Sequence, residues 1–554
     1  MAAFRAAEDG SMIVFALFLF VIMLMIGGMA VDLMRFESVR ARLQSTLDRA
    51  VLAAADLDQR LDPTAVVYDY FDKDRLLSQL THVEVTETMN SRSVGALARM
   101  DMNTFFMRMV GYPSLTAPAA GRAIESVNDI EIILVLDVSG SMNDNRRLVN
   151  LKSAANDFVD TILAADTEDR MSIGIVPFNG QINLGPQLRA QYNTTDDHGV
   201  ANSNCVDLTP AAYATADLST TLPLPMTAYA DTFSGPSSTG SGYTVPTSNR
   251  PAAANYWCPA TPGNTVLLPT RNATTLHNRI NGLTAIGATS INAGMRWGIE
   301  LLDPGTQPMF ASLAAAGQMP SAYADRPYAY DRDDALKVIV LMSDGSNFAE
   351  QRVNNGYRSG PSPIWRANNG QYSIFDATRV NSSNSTNLCN SRPYYVPHLN
   401  AWHPRPWNGS NPPAGTSKNP TCYQPNATTS STTNLNWEAV WLDVRVKWVA
   451  QQLFARSEMV AGSNYTQRYN NAVAMLQTET PIPQMDAQLQ AMCQVARSHG
   501  TTVFSIAFEA PSDGQLQLSQ CASSPSHYFN AQGLEIADAF RAIAAQINRL
   551  RLVE

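Results

Sequence analysis

The chain has little basic charge and no cluster of it. Of its 554 residues, 39 are Lys or Arg and 48 are Asp or Glu, which gives a formal net charge of −9 at pH 7. Nucleic-acid-binding proteins neutralise phosphates with clustered Lys and Arg, so nucleic acid is excluded as the expected partner. Hydrophobic residues make up 45% of the chain, which excludes a largely disordered protein. A chain of this length predicts at least two packed parts.

Cysteine is scarce, and no two cysteines form a C-x-x-C pair, so zinc clusters and thioredoxin-like sites are not expected. The six cysteines are Cys205, Cys258, Cys389, Cys422, Cys493 and Cys521. Several pairings are possible. The simplest is sequential, because the first two and the next two each share a polar segment and the last two flank one predicted strand. Disulfide bonds would place this part of the chain in an oxidising compartment.

Motifs for catalysis are missing. The sequence contains no G-x-S-x-G elbow and no P-loop, and its seven histidines are scattered. We therefore expect no enzymatic activity.

One segment is long and uncharged. Residues 10–31 contain no charged side chain, and at a rise of ~1.5 Å per residue they would cross the ~30 Å hydrocarbon core of a bilayer. A cleaved signal peptide is the alternative, but Glu8 and Asp9 replace the basic start that such a peptide has. Apolar residues continue at helical spacing over residues 36–54, which favours a retained membrane anchor that runs on as a stalk helix over 32–57.

The orientation of the anchor rests on two opposing signals. Four arginines follow the segment within residues 35–49 and only Arg5 precedes it, which by the positive-inside rule favours a cytoplasmic body. The cysteines favour the opposite side, and long polar domains translocate largely regardless of local charge. We expect the body to lie outside the cytoplasm.

Residues 58–126 are predicted to form a small α/β, pseudopilin-like unit. The pattern predicts a short helix over 64–72 and strands over 82–88, 91–100 and 114–124. Between the last two strands it predicts a helix over 103–111, with Asn103 as its N-cap and Gly111 at its end.

Residues 127–554 alternate between strand and helix patterns, which predicts an α/β domain with a doubly wound, parallel sheet covered on both faces. Two segments interrupt the alternation, at 186–272 and 346–436. They are rich in Ser, Thr, Asn, Pro and Gly, yet each contains two cysteines and at least one tryptophan, which disordered tracts seldom do. We interpret both as ordered, disulfide-stapled insertions.

A cation site is predicted at one edge of this sheet. Asp137, Ser139 and Ser141 follow the apolar stretch IEIILV, Thr289 precedes a predicted helix, and Asp344 ends a further strand. Ligands of doubly wound sheets bind outside the carboxyl ends of the strands, where these residues should meet. Two carboxylates and three hydroxyls form an all-oxygen ligand set that suits Mg²⁺, Mn²⁺ or Ca²⁺. Turn formation and helix capping by the same residues are the alternative.

These motifs resemble the von Willebrand factor A domain. The resemblance rests on D-x-S-x-S at 137–141, Gly-x-Thr at 287–289 and Ser-Asp-Gly at 343–345. It implies a metal-ion-dependent adhesion site, most simply with Mg²⁺. Ser139, Ser141 and Thr289 would bind the metal through their hydroxyls, and Asp137 and Asp344 directly or through water. An Asp or Glu of a protein partner would complete the coordination.

Both ends of the chain resemble TadG-like proteins of tight-adherence (Flp-type) pilus assembly, through the leader FRAAEDGSMIVF…LQSTLDRAVLAAA and the C-terminal stretch IADAFRAIAAQINRLRL. The resemblance implies a single-pass protein of the bacterial inner membrane, with its body in the periplasm and pilus or secretion-channel components as partners. Cleavage between Ala3 and Phe4, with Glu8 five places on, would match prepilin processing. The predicted function is metal-dependent partner binding. The alternative is a structural or channel-associated component whose metal only holds strand ends together.

Overall fold

The computed structural model forms two compact units, Met1–Asp129 with Ile547–Glu554, and Ile130–Gln546. It describes residues 9–553 except 57, 58, 60, 88–90, 128, 167, 168, 239, 333, 382–389, 410–422 and 424–430. The proposed processing residues Ala3, Phe4 and Glu8 lie outside the described residues.

The N-terminal unit is organised around the anchor helix, Asp9–Ala55, which at ~1.5 Å per residue is about 70 Å long. It is the one helix among the described residues that is long and apolar enough to cross a membrane, with a mean hydropathy of 2.8 over its most apolar window. The apolar side chains of its first half are exposed, whereas Leu43, Leu47 and Val51 in its second half are buried. The long, continuous apolar N-terminal helix predicted from the sequence is confirmed, and it ends at Ala55.

The second half of the anchor helix packs on a small antiparallel sheet. Within the described residues the sheet has four strands in the order Leu80–Glu87, Ser91–Asn103, Ser114–Val127 and Leu552–Val553. The helix Pro63–Lys73 joins the same core, because Val67 and Phe71 are buried with Leu47 and Val94. Asp62 caps this helix through a 2.8 Å hydrogen bond from the Ala65 N–H.

The prediction of a helix over residues 103–111 is wrong. The strand Ser91–Asn103 pairs through its last residue with Ser114, so that residues 104–113 form only the connection between two strands. This connection contains a single 3₁₀ turn, Met107–Val110, which ends at Gly111 in the left-handed conformation (φ 95°).

The larger unit is built on a mostly parallel sheet. Over the described residues its six strands lie in the order Tyr528–Ala531, Thr502–Phe508, Ala335–Ser343, Asp129–Asp137, Met171–Phe178 and Leu267–Thr270. All nine residues of Asp129–Asp137, hereafter the central strand, are buried. Successive side chains of a strand point to opposite faces, so both faces of the sheet are covered. The predicted doubly wound α/β fold is confirmed.

The edge strand Leu267–Thr270 runs antiparallel to Met171–Phe178 and was not predicted, because it lies at the end of the first polar segment. The helices of this unit that accompany the sheet are Arg147–Ala165, Ala273–Gly282, Ile291–Glu300, Gln307–Ala315, Ile482–Ser498, Ser512–Cys521 and Glu535–Arg551.

The first insertion has few regular elements but an apolar interior. It contains the helix Gly185–Arg189 and the short paired strands Thr194–Thr195 and Leu224–Pro225. Val206, Leu208 and Tyr213 are buried in the main core of the unit. The structure contains the disulfide Cys205–Cys258 of the sequential pairing.

The second insertion contains its own sheet. Its described strands lie in the order Ala401–His403, Tyr394–Val396, Tyr372–Phe375, Pro361–Ala367 and Thr432–Asn436. A separate core beneath it includes Tyr372, Trp441 and Trp448. The core also draws on the helices Trp437–Asp443, Val446–Val449 and Tyr465–Leu476 and the π-helical turn Ala450–Ala455. The strands Glu350–Val353 and Gln477–Thr480, which pair with each other antiparallel, come before and after these elements in the chain.

Of the remaining cysteines, Cys493 and Cys521 form a disulfide, again as in the sequential pairing. Cys389 and Cys422 lie outside the described residues.

Candidate metal site

The site begins where the central strand ends. The side chain of Asp137 is fully buried, and its carboxylate is held on both sides. Its Oδ1 accepts the Ser139 backbone N–H at 2.8 Å, and its Oδ2 accepts the Ser343 hydroxyl at 2.5 Å. The chain then turns through the 3₁₀ segment Gly140–Arg146 into the helix Arg147–Ala165. This turn aims both Ser139 and Ser141 back at the end of the strand.

Asp344 reaches the same place from the neighbouring strand, Ala335–Ser343. The Ser141 hydroxyl donates to Asp344 Oδ1 at 2.9 Å, and the hydroxyl oxygens of Ser139 and Ser141 lie 3.0 Å apart. Four of the five predicted ligands, Asp137, Ser139, Ser141 and Asp344, are thus gathered around the ends of two adjacent strands.

Thr289, the fifth predicted ligand, lines the open side of this cluster. It precedes the helix Ile291–Glu300, and its side chain lies near Gly345, the residue after Asp344. Gly140 N–H donates to Gly287 O at 3.0 Å, so two loops touch through their backbones. Gly287 has a φ of +89°, a conformation that favours glycine, and a Cβ on Gly140 would make a tight contact of 3.3 Å with Gly287 O.

Keeping both buried carboxylates, Asp137 and Asp344, ionised is costly. Burial, and then the nearby Asp344 charge, raise the pKa of Asp137 to about 7. Burial also raises the pKa of Asp344, although hydrogen bonds from Ser141 and the charge of Arg147 oppose that shift. A cation between the two groups would relieve the cost of keeping both ionised.

Arg147 and Glu509 belong to the site and were missed by sequence reasoning. Arg147 Nη1 donates to Asp344 Oδ2 at 2.9 Å, and its Nε donates to Glu509 Oε2 at 2.9 Å. Arg147 Nη1 also approaches Ser141 O at 3.3 Å. The guanidinium orients Asp344 so that Oδ1 faces the hydroxyl cluster. A charged residue at the start of a helix gives no local signal of such a role.

The donor set fits a hard divalent cation. No group of three or more His, Cys, Asp or Glu side chains suited to a metal occurs among the described residues. The candidate site uses two carboxylates with hydroxyls instead, an oxygen-only set that Mg²⁺ and Mn²⁺ accept and that zinc sites rarely use.

A cleft of about 400 Å³ opens directly above the cluster. Ser139, Ser141 and Thr289 form part of its floor. Aromatic side chains form its walls: Phe233, Tyr256, Trp257 and Phe348. The rings of Phe233 and Phe348 meet at 5.5 Å between centroids. The first insertion therefore contributes most of the wall, which the sequence did not indicate.

Replacing Gly514 by alanine is expected to disturb Asp344 from a distance. A Cβ at Gly514 would overlap the carbonyl oxygen of Gly345, so that the Asp344–Gly345 backbone must shift. Overpacking of this kind costs about 1–3 kcal/mol of stability. We expect a lower melting temperature and a smaller stabilisation by Mg²⁺, measured by thermal unfolding. Gly242→Ala is the matched control, since nothing lies within 4 Å of its added Cβ. An unchanged response to Mg²⁺ in Gly514→Ala would contradict the expected shift.

The fold and the site together define a class: an α/β domain with a cleft at the carboxyl ends of its strands, in a chain whose N-terminal helix is long and apolar enough to cross a membrane. Comparison with known families agrees with the resemblance drawn from the leader. Residues 10–57 match a family described as putative Flp pilus-assembly TadE/G-like. A search of curated proteins gives no match.

Solved structures similar to this chain include domains of pilus proteins. The von Willebrand factor domain of the type V pili tip protein Mfa5 from Porphyromonas gingivalis is 14% identical, with a TM-score of 0.31, over 77% of this chain and 98% of that one. The pilus adhesin SpaC from Lactobacillus rhamnosus GG is 11% identical, with a TM-score of 0.30. That match covers 85% of this chain but only 34% of SpaC. The tip pilin GBS104 from Group B Streptococcus agalactiae is 11% identical, with a TM-score of 0.27, over 76% and 99% of the two chains.

Proposed function

We propose that this protein is a membrane-anchored pilus-assembly or adhesion protein that binds a protein partner through a divalent cation. The observation that carries the proposal is the cluster of Asp137, Ser139, Ser141 and Asp344, whose two serines form part of the floor of an open cleft. Mg²⁺ is the expected cation, with Mn²⁺ and Ca²⁺ as alternatives. Thr289, beside the cluster, would be a further ligand.

The arrangement suits recognition better than catalysis. The described residues that line the cleft include no histidine or cysteine, so the serine hydroxyls there have no imidazole base beside them. When bound, the cation would supply positive charge at the cleft floor. With only two carboxylates in the site, it would attract an incoming Asp or Glu of the partner. The aromatic walls would exclude water from that contact, which strengthens it.

The location we propose is the bacterial inner membrane, with the larger unit in the periplasm. The anchor helix supports membrane attachment, and the disulfides Cys205–Cys258 and Cys493–Cys521 support an oxidising compartment. Pilus or secretion-channel components are the partners that the TadE/G-like match to residues 10–57 suggests.

Partner capture with and without metal tests the proposal. The detergent-solubilised full chain would be crosslinked to membrane and periplasmic proteins of its own bacterium, in Mg²⁺ or in EDTA. The same capture would be run with Asp344→Asn, and with Asp144→Asn as a control, since Asp144 is an exposed carboxylate in the turn after the site. We expect one set of partners that EDTA and Asp344→Asn abolish and Asp144→Asn leaves intact.

The alternative is a metal that only holds the strand ends together. In that case capture would survive EDTA and Asp344→Asn, and only the melting temperature would fall. That result would overturn metal-bridged binding and leave the structural role.

Metal affinity is expected to fall with decreasing pH. The pKa of Asp137 is raised to about 7, so its ionised form is lost as the pH drops through that value, and protons compete with the cation. Between pH 8 and pH 6 the ionised fraction falls roughly tenfold, and we expect the Kd for Mg²⁺ to rise by about the same factor. Mg²⁺ titrations at both pH values, followed by calorimetry, measure this. Equal Kd values would contradict competition between protons and the cation at Asp137.

A further inference from the structure

The connection between two strands of the N-terminal unit exposes an unusual amount of apolar surface. Residues 105–112, read as FFMRMVGY, are hereafter the apolar loop. Phe105, Met109 and Tyr112 are 66%, 71% and 60% exposed, and Phe106 and Val110 are also exposed. Contiguous apolar patches of this kind on a protein surface mark contacts with another molecule or with a membrane.

The apolar loop is fixed rather than loose. The buried carboxylate of Asp32, on the anchor helix, accepts the backbone N–H groups of Phe105, Phe106 and Met107 at 3.0, 2.7 and 2.8 Å. The loop also closes on itself, because the Tyr112 N–H donates to Met107 O at 3.0 Å and the Gly111 N–H to Arg108 O at 3.2 Å. Its backbone donors are therefore largely satisfied within the protein.

The position of the apolar loop along the anchor helix suggests what covers it. The Phe106 ring lies against Gly28, where an added Cβ would overlap the ring. Gly28 is inside the uncharged segment 10–31, about 4.5 Å from its C-terminal end at ~1.5 Å per residue. The loop thus lies beside the last turn of the membrane-spanning part of the helix.

The polar groups around the loop match the boundary of a bilayer. The Arg35 guanidinium lies 4.2 Å from the centroid of the Phe105 ring, and Arg108 is exposed on the loop itself. Arg side chains at this level reach lipid phosphates, and Tyr is enriched at the same depth because its ring is apolar and its hydroxyl polar. Satisfied backbone groups are a requirement for any segment that enters the bilayer.

We propose that the apolar loop inserts into the headgroup–acyl boundary of the bilayer that the anchor helix spans. Segments of this kind bury their apolar face to a depth of about 5–10 Å. Asp32 would then hold the loop at the level of the helix that lies at this boundary. The small unit would be attached to the membrane at two points, the helix and the loop. The proposal does not depend on the cation site.

Site-directed spin labelling of the full chain in lipid vesicles tests this proposal. A nitroxide would be placed at Met109→Cys, and its exposure to oxygen, which concentrates in lipid, compared with exposure to a water-soluble nickel complex. Labels at two further positions serve as references. Val21→Cys, exposed on the apolar half of the anchor helix, is the reference for lipid, and Leu61→Cys, 65% exposed beyond the other end of that helix, is the reference for water. Labelling of the protein without an added cysteine gives the background.

We expect the Met109 label to lie between the two references, with clearly more oxygen and less nickel exposure than the Leu61 label, which reports water, and less oxygen exposure than the Val21 label near the bilayer centre. Adding Asp32→Asn to the Met109→Cys variant should shift the label towards nickel exposure, because the loop loses its charged acceptor. A Met109 label that resembles Leu61 would overturn the proposal. So would a label shielded from both reagents, which would mean that protein covers the loop. A Val21 label outside lipid would overturn the anchor and the proposal together.

Discussion

Replacing Asp137 by asparagine is expected to abolish stabilisation by Mg²⁺ while leaving the metal-free protein at least as stable as the wild type. In the metal-free state burial and the Asp344 charge work against an ionised Asp137, as its raised pKa of about 7 shows. An amide has nearly the same shape and no charge, so it removes that repulsion. It can still accept one hydrogen bond through its oxygen, although not the two that Asp137 accepts from Ser139 and Ser343.

Thermal unfolding of the detergent-solubilised full chain, in EDTA and in Mg²⁺, measures both effects. A ligand at ~100 times its Kd stabilises the folded state by about 2.7 kcal/mol, which raises the melting temperature of a domain of this size by several degrees. We expect this rise in the wild type and in Asp144→Asn, and none in Asp137→Asn. A rise in Asp137→Asn equal to that of the wild type would remove Asp137 from the ligand set.

Removing the disulfide Cys205–Cys258 is expected to cause a large loss of stability. Its cysteines are 53 residues apart, and closing a loop of that length stabilises a folded chain by about 4 kcal/mol through the unfolded state. The bond also has a local role. Cys258 follows Tyr256 and Trp257, which form a wall of the cleft, and the Trp257 indole donates to the Thr232 hydroxyl at 2.9 Å. Without the bond we expect this wall to loosen.

Urea unfolding of the Cys205→Ser, Cys258→Ser double variant measures the loss. The matched control is the Cys493→Ser, Cys521→Ser variant, whose 28-residue separation predicts a similar loss of about 3.5 kcal/mol but whose bond lies away from the cleft. Partner capture should therefore fall in the first variant and persist in the second under conditions where both are folded. Equal capture by the two variants would show that the stapled loop takes no part in binding.

The parts of the site that the sequence predicted are those with local signals. The central strand is an unbroken apolar run that ends in D-x-S-x-S, and the Ser-Asp-Gly motif ends a second such run. In a doubly wound sheet, carboxyl ends of neighbouring strands meet, so two short motifs far apart in the chain could be placed together. Asp137 and Asp344 are close for this reason.

The parts that the sequence did not predict depend on contacts between distant residues. Phe233 and Phe348 meet across the cleft, but each stands in a polar segment whose path no local pattern defines. The second insertion forms short strands of three to seven residues that are stable only over the tryptophan-rich core beneath them. The prediction of a helix over 103–111 failed for the same reason. A carboxylate from the anchor helix, Asp32, holds that backbone in a different conformation.

The small unit is discontinuous in sequence, and this has a mechanical consequence. The chain enters the larger unit after Asp129 and returns to the smaller one at Ile547, where Leu552 and Val553 pair with Val127 and Ser126. A pulling force on the larger unit therefore reaches the anchor helix by two routes, the covalent chain at Asp129 and the noncovalent contacts of the C-terminal stretch. A proteolytic cut in the C-terminal stretch leaves the covalent link at Asp129 intact, whereas a cut beside Asp129 leaves the larger unit held to the smaller one only through noncovalent contacts such as this strand pairing.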